Sequence, residues 1–305
     1  MEALIIRHED SKCRGVPEEG FADLDCIRGA LASVSVVGQH FSEKALADLE
    51  NALAEVTPKA LALREKYVRH SFNTARGKEY ALHGFARRLD GLAHCINTVF
   101  KAVPPDGNGI PEREPLIKAA VNIQAFLINV AGCCDNAAWV WVFEKGVTHS
   151  DGSALAQKMV GLTSEHKVVW KSLSKDFRIY LSSRRSWLKH VKAFRDSLAH
   201  RIPLYVPPHT VRPEDTEEYQ RLEHESFAAL LGGDLNQYEA LDSKQKELMN
   251  FSPVMVHSIA EKSPMALFHA QMLAGFATVE ELGEQLLNEL LRRSRVDSPR
   301  KPKLP

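Results

Sequence analysis

The chain lacks any excess of charge: across 305 residues, Lys plus Arg and Asp plus Glu each number 39. A chain-wide positive field that would announce a nucleic-acid partner is thereby excluded, and such a partner has to be met by a local cluster. Cysteine is scarce and odd in number, five in all. Cys133 and Cys134 are neighbours inside an apolar segment and cannot staple a small secreted fold, so a reduced, intracellular protein is expected. Uninterrupted apolar runs are missing as well. The opening "MEALIIRHED" has only a short apolar patch before four ionisable residues, too little for a secretory leader. The longest apolar segment, "AVNIQAFLINVAGCCDNAAWVWVF", is punctuated by Asn122, Gln124, Asn129, Asp135 and Asn136, which hydrocarbon would penalise. The expectation is a soluble, cytoplasmic chain with no membrane contact.

The fingerprints of metal and cofactor chemistry are also missing. No HExxH and no C-x-x-C occurs, so no zinc or other metal is expected. No glycine-rich phosphate loop follows a strand, and "PDGNG" is a turn too short for a calcium loop, so no cofactor is implied. Serine and cysteine nucleophile signatures are lacking. Strand-like alternation is rare too, which leaves a mainly α fold.

What is present is helical periodicity, with 44% apolar residues to build a core. Four long helices, roughly 79 to 102, 113 to 145, 164 to 200 and 264 to 292, form a bundle in which each buries a stripe. The third has a break near Ser182 and Ser183, and Pro203 stops it. Residues 1 to 75 form an N-terminal helical appendage, with a helix ending near Val56 and a second starting at Thr57 and Pro58. "IPLYVPP" and "SPVMVHS" are extended and pair as a small β-ribbon. The last helix begins at Ser263 and Pro264, with Thr278 and Glu281 as a capping box inside it. Residues 293 to 305 form a disordered basic tail. The domains are therefore 1 to 75, 76 to 292 and 293 to 305.

Two features of this pattern carry chemistry. In the 113 to 145 helix, Lys118, Asn122, Asn129 and Asn136 fall near one line facing solvent or another helix edge. Asp135, about 100° away, falls among Ile128, Ala131 and Trp139 on a face that looks directed at the core. A buried carboxylate needs a partner, and Arg195, Arg178 or a backbone amide are the candidates. In the 164 to 200 helix, Trp187, Val191, Phe194 and Leu198 form the apolar stripe. Arg184, Arg185, Lys189, Lys192, Arg195 and Arg201, against a lone Asp196, form a basic stripe able to track an RNA backbone.

At the end of that helix Asp196 and His200 are one turn apart, and Arg195 lies about 140° around the axis from His200. Arg195 and His200 meet at one point only through the arginine's length or a second copy of the helix, which favours a symmetric dimer. Asp196 and the negative end of the helix macrodipole both favour the imidazolium of His200. A planar guanidinium for phosphate and an imidazole for protons make a minimal set for metal-independent RNA cleavage. The alternative is a structural helix end, with Arg195 paired to Asp135 or Asp196 and His200 capping carbonyls.

The run Arg195, Asp196, three residues, His200, continued as "RDSLAHRIPLYVPP", resembles the R-(N/D/H)-xxx-H motif of the HEPN superfamily and is similar to bacterial HEPN-like proteins. The residue-level likeness is confined to about 195 to 208, and aspartate stands where asparagine is commoner. The resemblance implies a four- or five-helix bundle. It also implies a ribonuclease of toxin, phage-defence or CRISPR type that joins two motifs across a dimer. By that resemblance Arg195 holds the scissile phosphate, His200 is the general acid or base, and Asp196 orients the site. Asp135 and Asn136, on the 113 to 145 helix, are expected in support of the arginine. RNA, a second copy of the chain and an antitoxin or other protein are the implied partners. A helical scaffold or interaction module without turnover is the alternative function.

Overall fold

The computed structural model describes residues 4–5, 41–258 and 265–296. It is mainly α, as expected. Helix α1 (Glu43–Arg69) starts at Ser42, whose Oγ accepts from the Ala45 amide at 3.2 Å, and carries Lys66 and Arg69 in its last turn. Its buried residues Leu49, Val56, Ala60, Leu63 and Tyr67 recur at helical spacing straight through Pro58. The expected pair of helices split at Thr57 and Pro58 is thus one helix. Proline forfeits one backbone hydrogen bond, but the stripe on both sides packs on a common surface and holds the axis together. Nor is this helix an appendage, because its buried face belongs to the same core as the residues beyond 76.

Three further long units complete that core. Helix α2 (Ala75–Glu79) runs through a π segment (Tyr80–Ala86) into α3 (Arg87–Ala102). The 32-residue α4 (Arg113–Glu144) ends at Gly146, whose φ of +58° suits glycine. Helix α10 (Phe268–Val296) closes the set. α4 packs against α3 and α10, and α1 against α3 and α10. α4 is long and apolar enough to cross a membrane by length and composition, yet its inward face, with Phe126, Val130, Ala137 and Trp141, is buried in the core.

The expected single helix over 164 to 200 is three: α5 (Lys167–Ser172), α6 (Lys175–Ser183) and α7 (Arg185–His200). Ser174 causes one break by capping α6, its Oγ accepting from Phe177 N at 3.1 Å. The other falls at Arg184, next to the expected serines. The long helical units of the core therefore include α1 and not this segment, which packs on α4 through α7.

The two extended segments do meet, but only through the antiparallel bridge Tyr205↔Val256. The strands proper pair otherwise. β1 (Leu4–Ile5) lies parallel to β2 (Thr210–Val211), which is antiparallel to β3 (Met249–Asn250), and β4 (Val254–Met255) pairs with β5 (Ala266–Leu267). Helices α8 (Thr216–Gly232) and α9 (Leu235–Glu247) form a hairpin, turned by Gly233 at φ +79° and capped by Asp234. Thr278 does not cap a new helix: α10 runs through it, and its hydroxyl donates to Ala274 O at 2.8 Å. Ser263, Pro264 and residues 297 to 305 lie outside the described residues, while 293 to 296 continue α10 instead of opening the tail.

Two buried polar groups fix the ends of the bundle. Glu144 Oε1 accepts from Thr74 N and Oγ1 at 3.0 and 2.9 Å, and Oε2 accepts from Asn73 N and Nδ2 at 2.8 and 3.2 Å. Glu144→Ala strands these donors and should cost about 2–4 kcal/mol in a denaturant melt. His269 is fully buried among Phe41, Phe100 and Phe268, with Nε2 2.7 Å from Val103 O. Burial lowers its pKa to about 4 from 6.5, so the folded form refuses a proton that the unfolded chain takes up. Its contribution is intact above pH 6.5 and is lost as pH falls toward 4, by about 1.4 kcal/mol per unit. His269→Gln should flatten the acid limb of stability measured from pH 7 to 4.

Candidate functional site

α7 is anchored by buried Val191, Phe194 and Ser197, with Trp187 and Leu198 partly covered by the core. The opposite face is exposed and carries Arg185, Lys189 and Lys192 at spacings of four and three, leading to Asp196. Arg184 does not belong to this basic stripe. It is buried, and its Nη2 meets Glu281 Oε1 and Oε2 at 2.9 Å each while Nε reaches Oε2 at 3.1 Å, joining the α6–α7 corner to α10. A guanidinium saturated in this way is structural, which corrects its expected place among RNA contacts. Arg201 is exposed, with Nη2 3.2 Å from Ser197 Oγ.

At the helix end the three motif residues part company. Arg195 is half-buried and paired with its neighbour: Nε and Nη2 lie 3.0 and 2.9 Å from Asp196 Oδ1. His200 is exposed and makes no side-chain hydrogen bond or ion pair among the described residues. One copy of the chain thus pairs Arg195 with Asp196 and leaves His200 outside that pair.

Asp135 is not the buried acid expected. It is exposed on α4, because the buried residues Val130, Cys133, Ala137 and Val140 lie across the helix axis from it. Surrounding protein still removes enough water to raise its carboxyl pKa. Arg195, then Arg88, then His166 oppose that shift with positive charge. The direct ion pair of Arg195 is nevertheless with Asp196, and not with Asp135.

The structure adds two residues to this site. Arg88 lies across α4 at Gly132, where a Cβ would come within 2.3 Å of its Cζ. Its Nε donates to Asn136 Oδ1 at 2.9 Å and its Nη1 to Asn129 Oδ1 at 2.8 Å. The polar line on α4 thus faces a helix edge at Asn129 and Asn136, while Lys118 and Asn122 serve only their own helix, Asn122 Nδ2 donating to Lys118 O at 2.8 Å. His166 packs over Gly161, with Nδ1 2.9 Å from Thr163 Oγ1. A glycine between two asparagines, at Asn129, Gly132 and Asn136, was the available sign that a side chain from another helix is seated there. Beside this cluster an open groove of about 360 Å³ runs between α4 and α7, lined by Val121, Gln124, Ala125, Ile128, Asn129 and Leu198.

No family model, no curated protein and no solved structure matches this chain.

The arrangement is a surface with two arginines and a histidine around one exposed carboxylate, continuous with a basic helix face. Its guanidinium groups can meet an anion. The roles in stability differ. Arg88→Ala leaves two amide oxygens unpaired and should cost about 1–2 kcal/mol, whereas Asp135→Ala should change stability by less than about 0.5 kcal/mol. Chemical denaturation of both variants checks this, and a larger loss for Asp135→Ala would return it to a structural role.

Proposed function

We propose that the protein is an RNA-binding, metal-independent endoribonuclease of HEPN-like type, acting in the cytoplasm as a homodimer in a toxin or phage-defence setting. The observation that carries this reading is the exposed face of α7, where Arg185, Lys189 and Lys192 lead directly to the Arg195–Asp196 pair and to His200 at the helix end. The lysines and arginine follow the phosphates by charge alone. Nη1 of Arg195, which no described residue engages, is left for the scissile phosphate.

In the reaction the ribose 2′-hydroxyl attacks the adjacent phosphorus and His200 takes its proton. The P–O5′ bond breaks, the departing oxygen is protonated by the imidazolium of a second His200, and a 2′,3′-cyclic phosphate and a 5′-hydroxyl result. Arg195 offsets the charge that builds on the phosphoryl oxygens. Two copies of the helix end supply both protonation states, which fits the 140° between Arg195 and His200 on one copy.

A noncatalytic binding module is the second reading, and one observation favours it: Asp196 already occupies two donors of Arg195. The two separate on RNA incubated with the protein in EDTA. The nuclease reading expects cyclic-phosphate ends, and a loss of at least about a hundredfold in rate for Arg195→Ala and for His200→Ala. Binding without cleavage by the wild type would support the module. Cleavage that survives both substitutions would remove the assigned site.

A further inference from the structure

Exposed apolar side chains gather in two places. One is the tip of the α8–α9 hairpin, where Phe227, Leu231 and Leu235 are 60%, 74% and 61% exposed around the Gly232–Gly233 turn. Apolar groups this bare at the end of a helical hairpin lose more than a scattered surface leucine would. The hairpin packs chiefly on itself. Its small core of Leu222, Ala229 and Leu241 is separate from the main one, and its base is tied to the body by Tyr219 Oη and His209 Nε2 at 3.3 Å. Seventeen residues of α8 give an arm about 25 Å long.

The other place is the α4–α7 groove, where Val121 and Ile128 are 57% and 40% exposed beside Leu198. An apolar knob and an apolar slot therefore occur on the same chain. Their surroundings carry opposite charge. Hairpin residues 216–247 hold eight acidic and three basic residues, a net of −5, while residues 185–201 beside the groove hold five basic and one acidic, a net of +4. An arm this acidic is repelled by anionic lipid and by RNA, and is attracted to the face that α7 presents.

We infer that the hairpin is a dimerisation arm whose tip seats in the α4–α7 groove of a second copy, while the second copy's arm returns the contact. Reciprocal exchange closes under a two-fold axis, so the assembly stops at two. Each dimer then contains two knob-in-slot contacts of apolar centre and charged rim. A dimer is also part of the nuclease reading, but the arm and its slot need no RNA chemistry, and a failure of either leaves cleavage by the helix end to be judged separately.

Sedimentation of the full chain, without RNA, tests it. The wild type should run as a dimer that loosens in high salt. Leu231→Asp, which spoils the knob, and Val121→Asp, which spoils the slot, should each run as a monomer with unchanged helical circular dichroism, since both positions are exposed. An equimolar mixture of the two variants should recover dimer, because the intact knob of one meets the intact slot of the other. A monomeric wild type, a dimer that survives either substitution, or a mixture that stays monomeric would overturn the assignment. A monomeric wild type that floats with phosphatidylcholine vesicles through Leu231 would also overturn it and give the tip to lipid.

Discussion

The seat of Arg88 on Gly132 sets how closely α3 lies against α4, and the outward side of the molecule is arranged around that approach. Gly84 and Arg88 on one helix meet Asn136 and Gly132 on the other, and a Cβ at Gly84 would stand 2.8 Å from Asn136 Cγ. Two amide oxygens hold the guanidinium flat, so a permanent cation is fixed beside Asp135 by neutral groups. With α4 buried on its inner side and gripped at this edge, its remaining surface faces α7. That is where Arg195, Asp135 and the apolar groove come together.

Much of this architecture was legible in the sequence, and the failures have physical causes. The long apolar periods of α4 and α10 and the stop at Pro203 were strong enough to read directly. Pro58 was misread as a helix start because its local cost is visible in sequence, while the stripe that overrides it acts through tertiary packing. Asp135 was misplaced because α4 carries apolar side chains on its exposed side too, Ile117, Val121 and Ile128, so hydropathy alone does not fix which side is the core. Arg184 looked like one more member of a basic run, and only its meeting with Glu281, 97 residues away, makes it structural. The α8–α9 hairpin went unread although Gly232, Gly233 and the Asp234 cap marked its turn, since its apolar stripe is short.

A chain with no net charge nonetheless separates its charges in space. The acidic hairpin and the basic α7 are each coherent surfaces, and the zero total conceals both. On α7 the helical period places Arg195 and His200 on different sides of one axis, so chemistry that needs both has to draw on a second surface. The same helix borders the groove, which makes α7 the element through which assembly and any anionic ligand would meet.

The closeness of α3 and α4 is tested most directly by combining Gly132→Ala with Arg88→Ala and measuring unfolding free energies of the four proteins. In the native background, alanine at 132 collides with the guanidinium and should destabilise by about 1–3 kcal/mol. With Arg88 removed the space is open, and the same change should stabilise by about 0.5–1 kcal/mol, as alanine does over glycine in a helix. Equal effects of Gly132→Ala in the two backgrounds would contradict the view that Arg88 seated on Gly132 governs this face.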